Sequence, residues 1–510
     1  MKKSIKRLIK KISKRNALFR RFCTFFLIRY KTRRYKKHSK PYNVNDKTIL
    51  FQSYSGRSYS CSPRAIYEAM LEDSKYDDYT FVWAFKRPHH KLLIDFPALS
   101  RAILIRYASW EHLRYFAEAK YWVSNSRLPP ELVKKTGQIY LQTWHGTPFK
   151  ELAHDIQIKS KRAMSSNREL KETFTGEARL FDYLVSQSPF CSQRLLAGFD
   201  LPGIGKSNAI LETGYPRNDF LINHTIWDVE QAKARIRIPK GKKVILYAPT
   251  WRDDQHKVGV GYTYEIGEDF EYLRKHLSEE WIILFRAHYL VANVFDFNKY
   301  GDFVYNVSNY DEINELYIAS DMLITDYSSV FFDYSNLGKP ILFYMYDKKN
   351  YSENLHGFTM PLDRLPGPCI ENVKALVKSV KDIESVINSY SVHYQEFRTI
   401  FNSLDDGRAA GRVIEKFTGK QYEQKEPGRT GIILANITFS TLDYDNILWL
   451  KNAKSQGKSL IVCLPEKSFE AQRQIFEALE CVDLALCGQT PENIKAYARE
   501  YKADTIIDGP

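Results

Sequence analysis

The architecture this 510-residue sequence predicts is two Rossmann-like, doubly wound α/β domains in tandem, with a small α/β unit at the C-terminal end. Three observations predict it. From Lys47 onward, short apolar runs ending in polar or turn residues alternate with longer helical patterns, as in a parallel sheet covered by helices on both faces. The same rhythm restarts after a helical stretch at 226–240. The length also exceeds what one hydrophobic core serves and corresponds to about three domains.

The chain opens with a basic arm, 1–43. Residues 1–40 hold 17 Lys and Arg and no acidic residue, so of the formal charge of +15 the other 470 residues carry −2. Ile5, Leu8, Ile9 and Ile12 recur at i, i+3, i+4 and i+7 between cations, the pattern of a cationic amphipathic helix. The apolar run 22–28 is far shorter than the roughly 20 residues of a membrane span, so it reaches into a bilayer surface without crossing. Arg20, Arg21 and Arg29 bracket it and no small-residue cleavage site follows, unlike a signal peptide. A solvated tail or a nucleic-acid arm is the competing reading of such a charge run. Aromatics placed opposite the cations favour an anionic membrane face, with no nucleic-acid partner.

The first Rossmann-like domain, 44–225, takes its strands from TILFQSYSG, YTFVWAF, AKYWVSNSR, QIYLQTWHG, FDYLVSQS and AILETGYPRND. The second, 226–418, takes them from KKVILYAPTWRDD, EEWIILFRAH, DFVYNVS, ADMLITDYSS and KPILFYMYD. A polar segment with Pro and Gly, 419–430, reads as a linker, and 431–510 is again strand, helix, strand, helix. Seven scattered cysteines without a C-x-x-C pair predict neither a disulfide framework nor a structural zinc site, and point to a reducing compartment.

In doubly wound sheets ligands bind beyond the carboxyl ends of the strands, so those ends are where chemistry is sought. In Trp144-His145-Gly146-Thr147-Pro148 the glycine allows close approach of backbone, the proline sets the turn, and the imidazole has an ordinary pKa near 6.5, suited to accepting a proton. Gly146 and Thr147 serve either the acceptor side or the turn itself. Arg286 and His288 stand together at the end of a second buried strand, so that two histidines occupy equivalent places on two sheets. Arg252, in YAPTWRDD, either forks onto phosphate oxygens or pairs with the neighbouring aspartates. Ser328 and Ser329 precede an apolar helix, where hydroxyls and free N–H groups bind an anion or simply cap. Asp333, one turn on, receives a ribose hydroxyl or complements the helix dipole. Arg217, in the turn-forming run ETGYPRND, likewise serves either the acceptor side or the turn. The stretch PGIGKSN lacks the first glycine of a Walker loop, Asp200 standing there. His89 and His90 have no third ligand at a metal spacing, and no metal site is expected.

Taken in order, WHGTPFK, YAPTWRDD, FRAH, TDYSSVFFDYSNLGKPILFY and FNSLDDGRAA resemble the CDP-glycerol glycerophosphotransferase family, the teichoic acid primases and polymerases, over roughly residues 45–418. The resemblance implies a two-domain, glycosyltransferase-B-like fold, with the active site between the two domains of a peripheral enzyme on the cytoplasmic face of the bacterial cell membrane. It implies His145 as base on the acceptor hydroxyl and His288 at the pyrophosphate, with Arg252, Arg286, Ser328, Ser329 and Asp333 on the donor. The donor it implies is CDP-glycerol, with CDP-ribitol or a related capsule chemistry as the alternative. The acceptor is a lipid-linked polymer, and no tightly bound cofactor is expected. A non-catalytic, membrane-associated scaffold is the more distant alternative. Residues 431–510 are similar to a glycerol-3-phosphate cytidylyltransferase-type domain, but Asp443-Tyr444-Asp445-Asn446 replaces its H-x-G-H signature. Two aspartates would repel a triphosphate, which implies a non-catalytic module for oligomer or partner contact.

Overall fold

A computed structural model describes residues 17–156, 166–250, 256–257, 261–262, 267–287, 297–348, 357–422, 432–437, 444–455, 459–464, 476, 479, 482, 484–487, 490–501, 503 and 505–508. Each predicted apolar run forms a strand, and the central ones, such as Thr80–Phe85 and Trp281–Phe285, are buried on both faces, which suits an interior parallel sheet. Sheet 1 contains β1 (Asn45–Gln52), β2 (Thr80–Phe85), β3 (Ala102–Arg106), β4 (Ala119–Ser124), β5 (Ile139–Gln142), β6 (Tyr183–Ser186) and β7 (Ile210–Glu212). All its pairings are parallel, in the order β3-β2-β1-β4-β5-β6-β7, so the strand order reverses between β1 and β4.

Sheet 2 is built from β8 (Lys243–Ala248), β11 (Trp281–Phe285), β12 (Val304–Asn306), β13 (Met322–Thr325), β14 (Ile341–Tyr344) and β15 (Cys369–Ile370). A two-residue ladder, β9 (His256–Lys257) with β10 (Gly261–Tyr262), stands apart from it. Its order, β12-β11-β8-β13-β14-β15, is again parallel throughout and reverses between β8 and β13. Separate apolar cores cover the two sheets, one around Phe51, Trp83 and Trp122 and the other around Ile245, Phe285 and Ile324.

Two helices depart from the expected boundaries. Ala409–Thr418, expected to close the second domain, returns to the first, where Val413, Ile414 and Phe417 fill the core of sheet 1. Ile226–Ile236, expected to open the second domain, belongs instead to a compact unit of 223–237 and 423–510. In that unit Ile226 packs against a cluster around Leu434 and Ile461. Its sheet is parallel in the order β18-β17-β16-β19, from β16 (Ile432–Asn436), β17 (Ser459–Leu464), β18 (Leu484–Cys487) and β19 (Thr505–Asp508). Of the D-Y-D-N segment, Asp443 lies outside the described residues and Tyr444, Asp445 and Asn446 open a helix over Tyr444–Ser455.

The amphipathic helix expected at 5–12 lies outside the described residues. A helix does run over Ala17–Ser39. Arg20 and Arg21 pair with Glu169 and Glu172, Lys31 with Glu131, and Arg34 lies 4.9 Å over the Trp110 ring. Those contacts hold one side of the helix to the first domain. Phe22, Phe25, Phe26, Leu27 and Tyr30 are left more than half exposed. No helix among the described residues is long and apolar enough to cross a membrane.

Candidate active site

Residues that follow strands of both sheets line one cleft of about 850 Å³ within the first compact unit. On the first wall, Tyr54 N donates to Asn125 Oδ1 at 2.7 Å and Ser55 N to Ser126 Oγ at 2.9 Å. The loops after β1 and β4, on either side of the topological reversal, are therefore bonded together. His145 enters this wall from the turn after β5.

That turn is strained and supported. Trp144 has φ of +52°, in the left-handed region that a bulky residue rarely adopts. Its N–H donates to Gln142 Oε1 at 2.9 Å, Gln142 Nε2 donates to Tyr140 Oη at 2.8 Å, and Tyr140 Oη donates to Glu177 Oε1 at 3.1 Å. Surrounding bonds of this kind are what allow an unfavourable backbone conformation to persist.

His145 Nδ1 lies 2.7 Å from the carbonyl oxygen of Asn125. A carbonyl only accepts, so Nδ1 carries the proton and Nε2 keeps its lone pair. Crowding by the cleft walls lowers the imidazole pKa; the Asn125 carbonyl opposes that, and Arg217 and Arg127 add to it. Because the side chain keeps an edge open to solvent, the desolvation is partial. All of this favours a neutral imidazole at pH 7, the form able to take a proton.

On the second wall, Ser328 and Ser329 follow β13. The helix they precede, Val330–Tyr334, has only five residues, and Ser329 makes no side-chain capping bond, so simple capping is not its role. Neither hydroxyl has a partner among the described residues. Thr250 N, just past β8, donates to Asp326 Oδ1 at 2.8 Å and ties the two loops at the reversal of sheet 2. Arg286 is anchored by Nη1, which donates to the carbonyls of Val307 at 3.1 Å and Tyr310 at 2.7 Å. Its Nε and Nη2 have no partner among the described residues. Burial lowers its pKa, but a guanidinium stays charged, so Arg286 is a desolvated cation in a cleft wall.

The walls meet at Gly146, where a Cβ would stand 2.9 Å from Ser329 Oγ. A side chain at 146 would require the Ser329 hydroxyl to rotate away, so the glycine lets the two walls approach with that hydroxyl facing the turn. Thr147 is buried and its hydroxyl donates to Gln187, which gives it to the turn.

Asp333 and Arg217 differ most from expectation. Arg217 Nε and Nη2 donate to the two carboxylate oxygens of Asp333 at 3.0 and 2.9 Å, and Asn218 Nδ2 donates to Oδ1 at 3.0 Å. The pair is nearly dry, with side-chain exposures of 3% and 10%. Asp333 is thus engaged in an interdomain ion pair at the cleft, with Arg217 as its counter-ion. Beside it, Asp405 accepts from Tyr215 N, Gln187 Nε2, Asn218 Nδ2 and Asn336 Nδ2. Asp219 caps the returning helix by accepting from the N–H groups of Ala409 and Ala410.

The structure therefore brings His145, Gly146, Thr147, Arg217, Arg286, Ser328, Ser329 and Asp333 to one cleft. His288 and Arg252 lie outside the described residues. Sequence reasoning passed over Asn125, which fixes the histidine tautomer, and Asp405, which joins the domains. Asn125 sits in AKYWVSNSR, a strand end of the same kind as the ones chosen, and Asp405 in the FNSLDDGRAA block.

The fold and cleft define a class: two-domain proteins of glycosyltransferase-B-like architecture, with an imidazole in a cleft that also holds hydroxyl and guanidinium groups. Within it, the chain belongs to the CDP-glycerol:poly(glycerophosphate) glycerophosphotransferase family, whose profile matches residues 34–418. It is similar to the teichoic acid poly(glycerol phosphate) polymerase of Staphylococcus epidermidis, 38% identical over 380 residues, which are 73% of this chain and 51% of that protein. It is also similar to the teichoic acid glycerol-phosphate transferase of Staphylococcus aureus, 38% identical over 378 residues, 73% of this chain and 92% of the other. A solved structure of the wall teichoic acid polymerase TagF, soaked with CDPG, superposes with a TM-score of 0.69 at 36% identity, covering 79% of this chain and 97% of that one. The chain thus spans about half the length of the S. epidermidis polymerase.

Proposed function

We propose that the chain transfers glycerol phosphate from CDP-glycerol to a hydroxyl of a membrane-linked acceptor, releasing CMP, in synthesis of teichoic acid or a related cell-surface polymer. The observation that carries this reading is His145, with Nδ1 donating to the Asn125 carbonyl and its turn meeting Ser329 at Gly146. His145 Nε2 takes the proton of the acceptor hydroxyl. The acceptor oxygen bonds to the phosphorus bearing glycerol, and the bond from that phosphorus to the CMP oxygen breaks. Arg286 and the hydroxyls of Ser328 and Ser329 stabilise charge on the phosphates, so catalysis is chiefly positioning and electrostatics. His288 and Arg252 join them on the donor by the motifs they occupy. Asp333 and Arg217 hold the domains together.

Four relatives named for glycerol phosphate are 36–38% identical over 73–74% of this chain and a glycerol-phosphate primase is 27% identical over 54% of it, whereas those named for ribitol phosphate stand at 35%, 26% and 24%; the balance favours glycerol. The exposed Phe22, Phe25, Phe26, Leu27 and Tyr30, on a helix rich in Lys and Arg, support peripheral attachment to the cytoplasmic face of the membrane. In this reading 431–510 is a non-catalytic module. The deciding experiment incubates the full chain with a lipid-linked acceptor and CDP-glycerol or CDP-ribitol in parallel, then weighs the acceptor. Acceptor mass rising in glycerol-phosphate steps supports the proposal; ribitol-phosphate steps, or no CMP release from either donor, refute it.

A further inference from the structure

The turn that carries His145 begins on the first domain but is sewn to the second. Phe149 is 1% exposed, and its ring lies 5.0 Å from Phe331, 6.3 Å from Phe332 and 5.1 Å from Phe358, all on the second domain. Backbone bonds reinforce the insertion. Thr359 N donates to Phe149 O at 3.0 Å, Glu151 N donates to Gly357 O at 3.1 Å, and Lys150 forms an antiparallel bridge with Phe358. Thr359 Oγ1 adds a bond to Pro148 O at 2.6 Å, and Arg194 Nη2 donates to Thr359 O at 2.9 Å. Phe331 and Phe332 sit in the short helix that directly follows Ser328 and Ser329.

We propose that Phe149 is a positioning residue: its ring anchors the His145 turn in the second domain, so that base and donor-side serines keep their separation when the domains move. This rests on His145 being the base. In a two-domain cleft a base borne by one domain changes its distance to a donor held by the other with every hinge motion. A misplacement of about 1 Å costs on the order of 10²-fold in rate. Tying residues 146–151 to the second domain removes that variation, while the Nδ1 bond to Asn125 holds the ring on the first.

The test compares Phe149→Ala, Phe149→Leu and Thr359→Val in the full chain. It measures kcat and KM for CDP-glycerol, thermal unfolding, and the rate at which diethyl pyrocarbonate modifies His145, mapped by mass spectrometry. Phe149→Ala should lower kcat by about 10²-fold with little change in KM, Phe149→Leu should recover much of the loss, and Thr359→Val should lower kcat severalfold. Loosening the turn frees the already exposed imidazole from its Nδ1 bond to Asn125, so His145 should be modified faster. Unchanged kcat, a loss confined to KM, or an unchanged modification rate overturns the proposal. Should Phe149→Ala fail to fold, the leucine and Thr359 variants decide by the same readouts. A wild-type protein that releases no CMP refutes the transferase reading instead, and the modification rate still judges the anchor.

Discussion

Replacing Asp333 by Asn separates the two roles that this carboxylate has been given. In the structure both of its oxygens are taken by Arg217, and the pair is almost wholly removed from water. Asparagine keeps the shape but offers one acceptor in place of two and no charge. Arg217 Nη1 already lacks a partner among the described residues, so the variant leaves a buried guanidinium with one of its donors newly unmatched and its charge uncompensated. Removing one partner of a buried pair costs about 3–5 kcal/mol, and at this bidentate geometry a loss of about 3 kcal/mol is expected for Asp333→Asn. Replacing both residues, Arg217→Met with Asp333→Leu, should cost less than the sum of the single changes, because no charge is left stranded. Denaturant midpoints of the four proteins give the coupling, and KM for CDP-glycerol is measured alongside. Stability within about 0.5 kcal/mol of wild type, together with a KM raised tenfold or more, would refute the ion-pair argument and return Asp333 to the ribose.

Other outcomes follow from the same geometry. His145→Ala should lower turnover by about 10²–10⁴-fold without shifting the melting curve, and in the wild type activity should fall only below pH 6.5, since the folded imidazole titrates lower than a free one. An acid limb above pH 7 speaks against His145 as the base. Burial lifts the Asp405 carboxyl from 3.8 to about 6 and Asp219 from 3.8 to about 7. The folded protein therefore holds protons that unfolded carboxyls have released, and this contribution to stability falls as pH rises from about 4 to about 7, then levels off. For Asp405 the shift corresponds to on the order of 3 kcal/mol, and Asp219→Asn should flatten the slope of denaturant midpoint between about pH 5 and 7. Gly214→Ala should destabilise by about 2 kcal/mol or more, because φ is +81° and a Cβ would lie 2.3 Å from Leu404 O, beside the Asp405 junction. Phe25→Ser with Phe26→Ser should reduce flotation with anionic vesicles while CMP release from a soluble acceptor is kept; undiminished flotation places attachment elsewhere.

Strands, their parallel pairing and the strand-end loops were legible in the linear sequence because they follow from local texture. A run such as KVILYA is apolar on both faces and stops at a proline, so it declares a buried strand and an exposed end without reference to the rest of the chain. His145, Arg286, Ser328 and Ser329 were found that way, since each lies within a few residues of such an end. An apolar helical face, by contrast, states that it will be buried but not against what. So the return of Ala409–Thr418 to the first core and the transfer of Ile226–Ile236 to the C-terminal unit were decided only in three dimensions. Charges behave likewise. Asp333 lies four residues after Ser329, yet its partner Arg217 is 116 residues away, and only the packing of the two domains brings the two charges together out of water. Local periodicity determined which residues reach the cleft, and burial at the domain junction determined which of them remain free there to meet a substrate.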